Sequence, residues 1–167
     1  MMETKVEIDR ATAEEMPIIS NLLQLYLYEF SPIVRTDVEA DGRFKWDGLE
    51  DYWNDKNLHP ILIRVGGLLA GFALVQRFSV VRNKPVAWDM EDFFIMAKYS
   101  RTGIGKYVAG TLFNQFRGDW EIRVLQKNDS ALRFWGSTVS RYCGTETAPV
   151  LTPVGSRAFN VFRFETT

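Results

Sequence analysis

The sequence predicts an α/β (α+β) fold, a single domain over residues 1–167 with a mixed sheet flanked by helices. Short runs rich in β-branched and aromatic residues alternate along the chain with amphipathic stretches at helical spacing. Turn signals separate them, giving the order β-α-(α)-β-β-β-α-β-α-β. At 167 residues and 46% hydrophobic content, the chain can bury one sizeable core but is too short for two ordinary domains.

Val6 to Arg10 alternates and reads as the first strand. Thr12 is a helix N-cap, with Glu15 as its capping-box partner. The helix carries Met16, Ile19, Leu22, Leu23, Tyr26 and Leu27 on its inner face, reaches about Phe30, and is expected to stop at Ser31-Pro32. Ser31 to Asn57 is the least regular stretch, mixing acids with Trp46, Tyr52 and Trp53, with a short helix expected over Leu49 to Trp53. Pro60 to Val65 and Leu68 to Phe78 form a hairpin across Gly66-Gly67. Asn83-Lys84-Pro85 is a turn. Trp88 to Met96 is the central strand. The helix after it places Tyr107, Val108, Leu112, Phe113 and Phe116 on one face. Gly118-Asp119 breaks the chain before a strand over Trp120 to Leu125. Asp129 or Ser130 caps a helix from Ala131 to about Val139. Thr145 to Pro153 reads as polar loop, and Ala158 to Glu165 as the last strand.

Composition narrows the function. The formal charge of -1 gives no basic field for nucleic acid. No apolar run approaches the ~20 residues of a membrane span, and MMETKVEIDRA is too polar for a signal peptide. Cys143 is the single cysteine, so intrachain disulfides and cysteine-cluster metal sites are excluded, and a reducing cytoplasm is the default location. Five Trp, six Tyr and twelve Phe suit a ring-rich core or a substrate tunnel.

The informative stretch is WDMEDFFIMAKYSRTGIGK, Trp88 to Lys106. A strand leads through a short polar turn to Gly103-Ile104-Gly105 and a helix start. The first N–H groups of a helix have no internal partner and the helix dipole favours negative charge there, so this is an anion site. Glycines let the backbone approach a phosphate and adopt φ angles that other residues avoid. Spacing excludes two common phosphate binders. No glycine precedes Gly105 by five residues, as a P-loop requires, and Val108 stands where a dinucleotide fingerprint needs its third glycine.

The run EDFFIMAKYSRTGIGKYVAGTLF resembles the fourth strand, pyrophosphate loop and third helix of the GNAT acetyltransferases, with an EDFF segment similar to diamine acetyltransferases. WEIRVLQKNDSALRFW resembles the fifth strand, asparagine turn and fourth helix of that family. The resemblance spans nearly the whole chain. It implies a mixed, mostly antiparallel sheet of about six to seven strands flanked by about four helices. It implies acetyl-CoA as cosubstrate, without a metal, and a small-molecule or peptide amine as acceptor, with Ser31 to Asn57 forming one wall of the acceptor site; loose surface packing is the competing reading of that stretch. A homodimer stays open, and neither nucleic acid nor membrane is implied.

Site residues follow from the same resemblance. Phe94, Ile95 and Met96 on the strand, Arg101, Thr102, Gly103, Ile104, Gly105 and Lys106 in the loop, and Asn128 and Trp135 further on are the implied cofactor contacts. The main-chain amide of Ile95 falls where the family polarises the thioester carbonyl. Glu91 occupies the diamine-type base position and Asp92 that of a substrate-amine contact, with Asp89 the third acid on the strand. Alternation places Asp89, Glu91, Phe93 and Ile95 on one face, and Asp92 and Phe94 on the other. The competing reading of these acids is structural, with each paired to Arg or Lys. Two departures stand out. Ser100 replaces the family's Gln or Arg before the glycines, and Trp135 replaces the tyrosine that serves many members as general acid. The thiolate then leaves unassisted, or Tyr142 or a water supplies the proton. A non-catalytic acetyl-CoA-binding or regulatory domain is the alternative reading. Cys143 and His59 have no partners in sequence that suggest a nucleophile–base pair.

Overall fold

A computed structural model of the chain describes residues 5–167. Among these described residues, seven strands form a mixed sheet in the order β1-β2-β3-β4-β5-β7-β6, accompanied by four α-helices. The chain groups into two compact units. One holds the residues up to Leu74 with Asp92–Tyr99, and the other holds Val75–Glu91 with Ser100–Thr167.

In the first unit, β1 (Val6–Arg10) pairs antiparallel with β2 (Leu58–Val65), setting Ile8 opposite Ile63. The capping box forms: the Thr12 N–H donates to Glu15 Oε2 at 3.0 Å and starts a 3-10 turn over Ala13–Glu15. That amide, and Arg64 Nη2 at 2.6 Å from Oε1, hold the Glu15 carboxyl below the usual carboxylate range. Helix α1 (Met16–Val34) buries Ile19, Leu22, Leu23 and Leu27. It overruns the expected stop at Ser31-Pro32, because Pro32 lies inside the helix. Proline has no N–H to give to the carbonyl four residues back. The Ser31 hydroxyl supplies that bond instead, donating to Tyr28 O at 2.7 Å. Arg35 ends the helix in the left-handed region at φ 56.

Helix α2 (Asp51–Asn54) is the short helix expected after Leu49. The β2 to β3 (Leu68–Gln76) connection turns on Gly66 and Gly67 at φ 59 and 78, the positive values a tight two-residue hairpin requires. The core of this unit gathers Ile19, Leu23, Tyr52, Leu62, Phe72 and Phe94. Burial of each large apolar side chain contributes about 1.5–3 kcal/mol.

In the second unit, β4 (Trp88–Ile95) begins parallel to β5 (Gly118–Leu125), with Trp88 opposite Trp120 and Asp89 opposite Glu121. Strand β5 pairs antiparallel with β7 (Arg157–Thr166) along its full length, from Gly118↔Thr166 to Leu125↔Phe159. Helix α3 (Ile104–Gln115) packs Phe113 against Trp120 and Phe164, each at a ring-centroid distance of 4.9 Å. Its apolar face is Val108, Ala109, Leu112 and Phe113. Tyr107 is 58% exposed, not inward as its spacing suggests, because Ala109 takes the inner position.

Helix α4 (Asp129–Cys143) is longer at both ends than expected, and Asn128, not Asp129 or Ser130, caps it. Thr145 to Pro153 is not all loop. Val150–Val154 forms the edge strand β6, antiparallel to β7. Its side chains show no clean alternation, and Val150 and Leu151 are 58% and 53% exposed, which hid it in the sequence.

Candidate functional site

The three acids of β4 have three environments. Asp89 is fully buried. Arg123 grips it with Nε at 3.0 Å and Nη2 at 2.7 Å, and Gln76 Nε2 donates at 2.8 Å. The guanidinium also sits 5.5 Å from the Phe159 ring centroid. A forked, charge-assisted pair of this kind fixes the strand. Asp89 therefore matches the structural reading of the acids. Glu91 is exposed, which suits a group that exchanges protons with solvent. Asp92 is 9% exposed, and its Oδ2 accepts a hydrogen bond from Trp46 Nε1 at 3.1 Å.

Beyond Asp92 the strand is held at its backbone. Phe94 is buried and its ring lies 6.2 Å from Tyr26 and 5.8 Å from Phe72. A Cβ at Gly71 would stand 2.0 Å from the Phe94 carbonyl oxygen, so only glycine permits this approach. Ile95 and Met96 are half-buried, and the Met96 N–H donates to Ala70 O at 2.8 Å.

The loop into α3 is built for backbone exposure. Arg101 and Gly103 take left-handed conformations at φ 59 and 89, and Gly103 is the N-cap of the helix. Gly105 does not share this conformation; it lies in the first helical turn. The first helical bond runs from Tyr107 N to Gly103 O at 3.0 Å. The amides of Ile104, Gly105 and Lys106 precede it and have no partner within the helix. Arg101, Thr102 and Gly103 are exposed, and Ile104, Gly105 and Lys106 half-buried. Amides of a helix start beside two cations, Arg101 and Lys106, form a set that fits a phosphate group.

The remaining candidates lie on α4. Asn128 Oδ1 accepts from the Ala131 N–H at 3.1 Å and closes the helix end. Trp135 is buried, 6.4 Å from Phe113 and 4.9 Å from Phe134, so it packs in the core of its unit. The Tyr142 hydroxyl donates to Asn114 Oδ1 at 2.7 Å, and burial pushes its phenol above the ordinary value. His59 lies 2.9 Å from Arg10, and burial, reinforced by that cation, lowers its pKa.

One buried ion-pair network escaped the sequence, and so did the partner of Trp46. Glu121 on β5 is buried and contacts the Ser79 hydroxyl, Arg82 Nε at 3.1 Å and Arg163 Nε at 3.3 Å. The alternation of WEIRVL marks a two-faced strand without saying that its polar face is an ion-pair network. Trp46 sits in the irregular stretch, where no periodicity marks its partner. Among the described residues, no helix is long and apolar enough to cross a membrane, and no cluster of three or more His, Cys, Asp or Glu is placed to hold a metal.

No family model matches the chain, and no curated protein matches it in sequence. Solved structures do match it in fold. A GNAT-family acetyltransferase from Streptococcus pneumoniae aligns with TM-score 0.61 at 14% identity, covering 98% of this chain and 100% of that one. An acetyltransferase from Thermus thermophilus aligns with TM-score 0.66 at 13% identity, covering 96% and 97%. A spermidine N-acetyltransferase from Vibrio cholerae, solved with CoA and spermine, aligns with TM-score 0.56 at 12% identity, covering 95% and 92%. The chain has the GNAT fold, and its α/β architecture with a seven-stranded mixed sheet agrees with the fold the sequence predicts.

Proposed function

We propose that this protein is an acetyl-CoA-dependent N-acetyltransferase acting on an amine of a small molecule or peptide. The observation that carries the reading is the segment from β4 into α3. Within a fold shared with acetyltransferases, one of them solved with CoA, it ends in a left-handed Gly103 that opens a helix beside Arg101 and Lys106. In this reading the amides from Arg101 to Lys106 receive the pyrophosphate. The strand segment Phe94 to Met96 lies along the thioester arm, with the Ile95 amide donating to its carbonyl oxygen. Asn128 and Trp135 complete the cofactor set, Trp135 through packing.

The acceptor must be neutral to attack. Glu91, exposed on β4, takes the ammonium proton directly or through water. The amine nitrogen then bonds to the acyl carbon, the C–S bond breaks, the thiolate leaves with the sulfur electron pair, and the nitrogen gives its second proton to water. Asp92 contacts the amine before this step. The reaction needs no metal, and no dedicated acid is assigned to the thiolate.

The test is acetyl-CoA-dependent thiol release with spermidine, tyramine, L-lysine and an alanyl peptide as acceptors. Wild-type protein is expected to turn over at least one of them. Gly103→Asp, which adds charge and a side chain at φ 89, is expected to abolish CoA binding in calorimetry. Glu91→Gln is expected to keep CoA affinity and lose about 10²-fold in rate. Absence of CoA binding by wild-type protein would overturn the proposal. The alternative, a non-catalytic acetyl-CoA-binding domain, draws support from the buried Trp135 and from the Tyr142 hydroxyl engaged by Asn114. Tight binding of acetyl-CoA without turnover would favour it.

A further inference from the structure

We infer that Trp46 is a positioning residue for Asp92, an inference resting on the acetyltransferase reading above. The loop after α1 looks irregular in sequence but is tightly tied. The side-chain amide of Gln24 on α1 behaves like a neighbouring strand: Nε2 donates to Phe44 O at 3.0 Å, and Oε1 accepts from the Phe44 N–H at 2.7 Å. Arg43 Nη2 donates to Ser20 Oγ at 3.0 Å, again on α1. After Trp46 the chain turns at Gly48, with φ 85, and Leu49 enters the core. Trp46 is thus delivered between two anchors, Phe44 and Leu49.

Its hydrogen bond differs in kind from those of other tryptophans. Trp53 donates to the carbonyls of Ala11 and Thr12, Trp88 to Arg117 O and Trp120 to Phe116 O. These are main-chain acceptors that any well-placed indole can satisfy. Trp46 donates instead to a side-chain carboxylate that comes from the central strand. An indole N–H orients a carboxylate and brings no positive charge of its own, whereas the guanidinium at Asp89 brings one. The Trp46 ring is half-buried and lies 6.3 Å from Tyr52. An ammonium brought to Asp92 would meet a carboxylate held at a fixed angle beside an aromatic face, an arrangement that favours cations.

The discriminating variant is Trp46→Phe, which keeps a ring against Tyr52 and removes only the N–H. Steady-state kinetics are measured on the best acceptor among spermidine, tyramine, L-lysine and an alanyl peptide. The KM for that amine is expected to rise about tenfold, the loss typical of a hydrogen bond to a charged group. kcat and the KM for acetyl-CoA are expected to stay within about twofold, since neither depends on this contact. Gln24→Met, which cannot bridge Phe44 and does not touch Asp92, is expected to raise the amine KM in the same direction by a smaller factor. An unchanged amine KM in Trp46→Phe overturns the inference while leaving the acetyltransferase reading intact. So does an equal rise in both KM values, which marks a purely structural residue. A wild-type protein that acetylates none of the four amines overturns both.

Discussion

The two halves of β4 are held in place by different means. Trp88 to Glu91 is secured through side chains. Trp88 packs 4.9 Å from Phe116 and lies under Arg77, and Asp89 is gripped by Arg123 and Gln76. Asp92 to Ile95 is secured through the main chain, by the approach of the Phe94 carbonyl to Gly71, and by the rings of Tyr26, Phe72 and Phe94. In the first half an acid is spent on rigidity. In the second, rigidity comes from backbone and rings, and the acid is oriented by an indole. One strand can therefore carry two buried aspartates three residues apart with different work to do.

Breaking the first half should cost most. Asp89→Ala removes the buried carboxylate that Arg123, itself only 14% exposed, grips. A loss of about 3–5 kcal/mol is expected in urea unfolding. A loss under ~1 kcal/mol, the range of exposed ion pairs, would show that the pair does not hold the strand. Gly71→Ala attacks the second half. Its Cβ meets backbone rather than a movable side chain, so about 1–3 kcal/mol is expected from overpacking, read as a lowered thermal midpoint. Asp92→Asn sharpens the contrast. Asparagine still accepts from Trp46, so the unfolding loss should be smaller than that of Asp89→Ala, while the amine KM should rise about tenfold. A stability loss as large as that of Asp89→Ala would make the two acids equivalent and remove Asp92 from the site.

The smallest effect lies away from β4, at His59. Its folded pKa is depressed by burial and by Arg10, so the unfolded chain binds the proton more readily. Stability from the neutral ring is then fully present above the ordinary histidine pKa of about 6.5 and is lost as pH falls through it toward the folded value. Urea midpoints at pH 7.5 and 5.5 should show this slope, and His59→Gln should flatten it.

Much of this was legible in the residues. The helical periodicity located α1 and α3, and the strand signals located six of the seven described strands, all but β6, close to their observed bounds. The glycines at 66, 67 and 103 announced themselves, since positive φ leaves few other choices. The site was half legible. Three acids on an apolar strand signal special chemistry, but which one is paired depends on Arg123, far along the chain, and on Trp46, in a stretch with no period. Loop tethers such as Gln24 to Phe44 replace strand pairing with a side-chain amide, and no local pattern encodes that. The continuation of α1 past Pro32 depended on a hydroxyl one residue earlier, a local repair that a rule based on proline alone overlooks.

The edge strand β6 has a bearing on how the protein behaves in a crowded solution. Val150 and Leu151 are exposed aliphatic residues on the outermost strand of the sheet, the kind of rim along which foreign chains stack into fibrils. Pro153 lies within that strand, paired with Ala158 on its inner side. It removes an amide from the outward row and stiffens the backbone against a partner's approach. A residue that looks like a flaw in a short strand thus works as a guard, trading one main-chain donor for resistance to unwanted polymerisation.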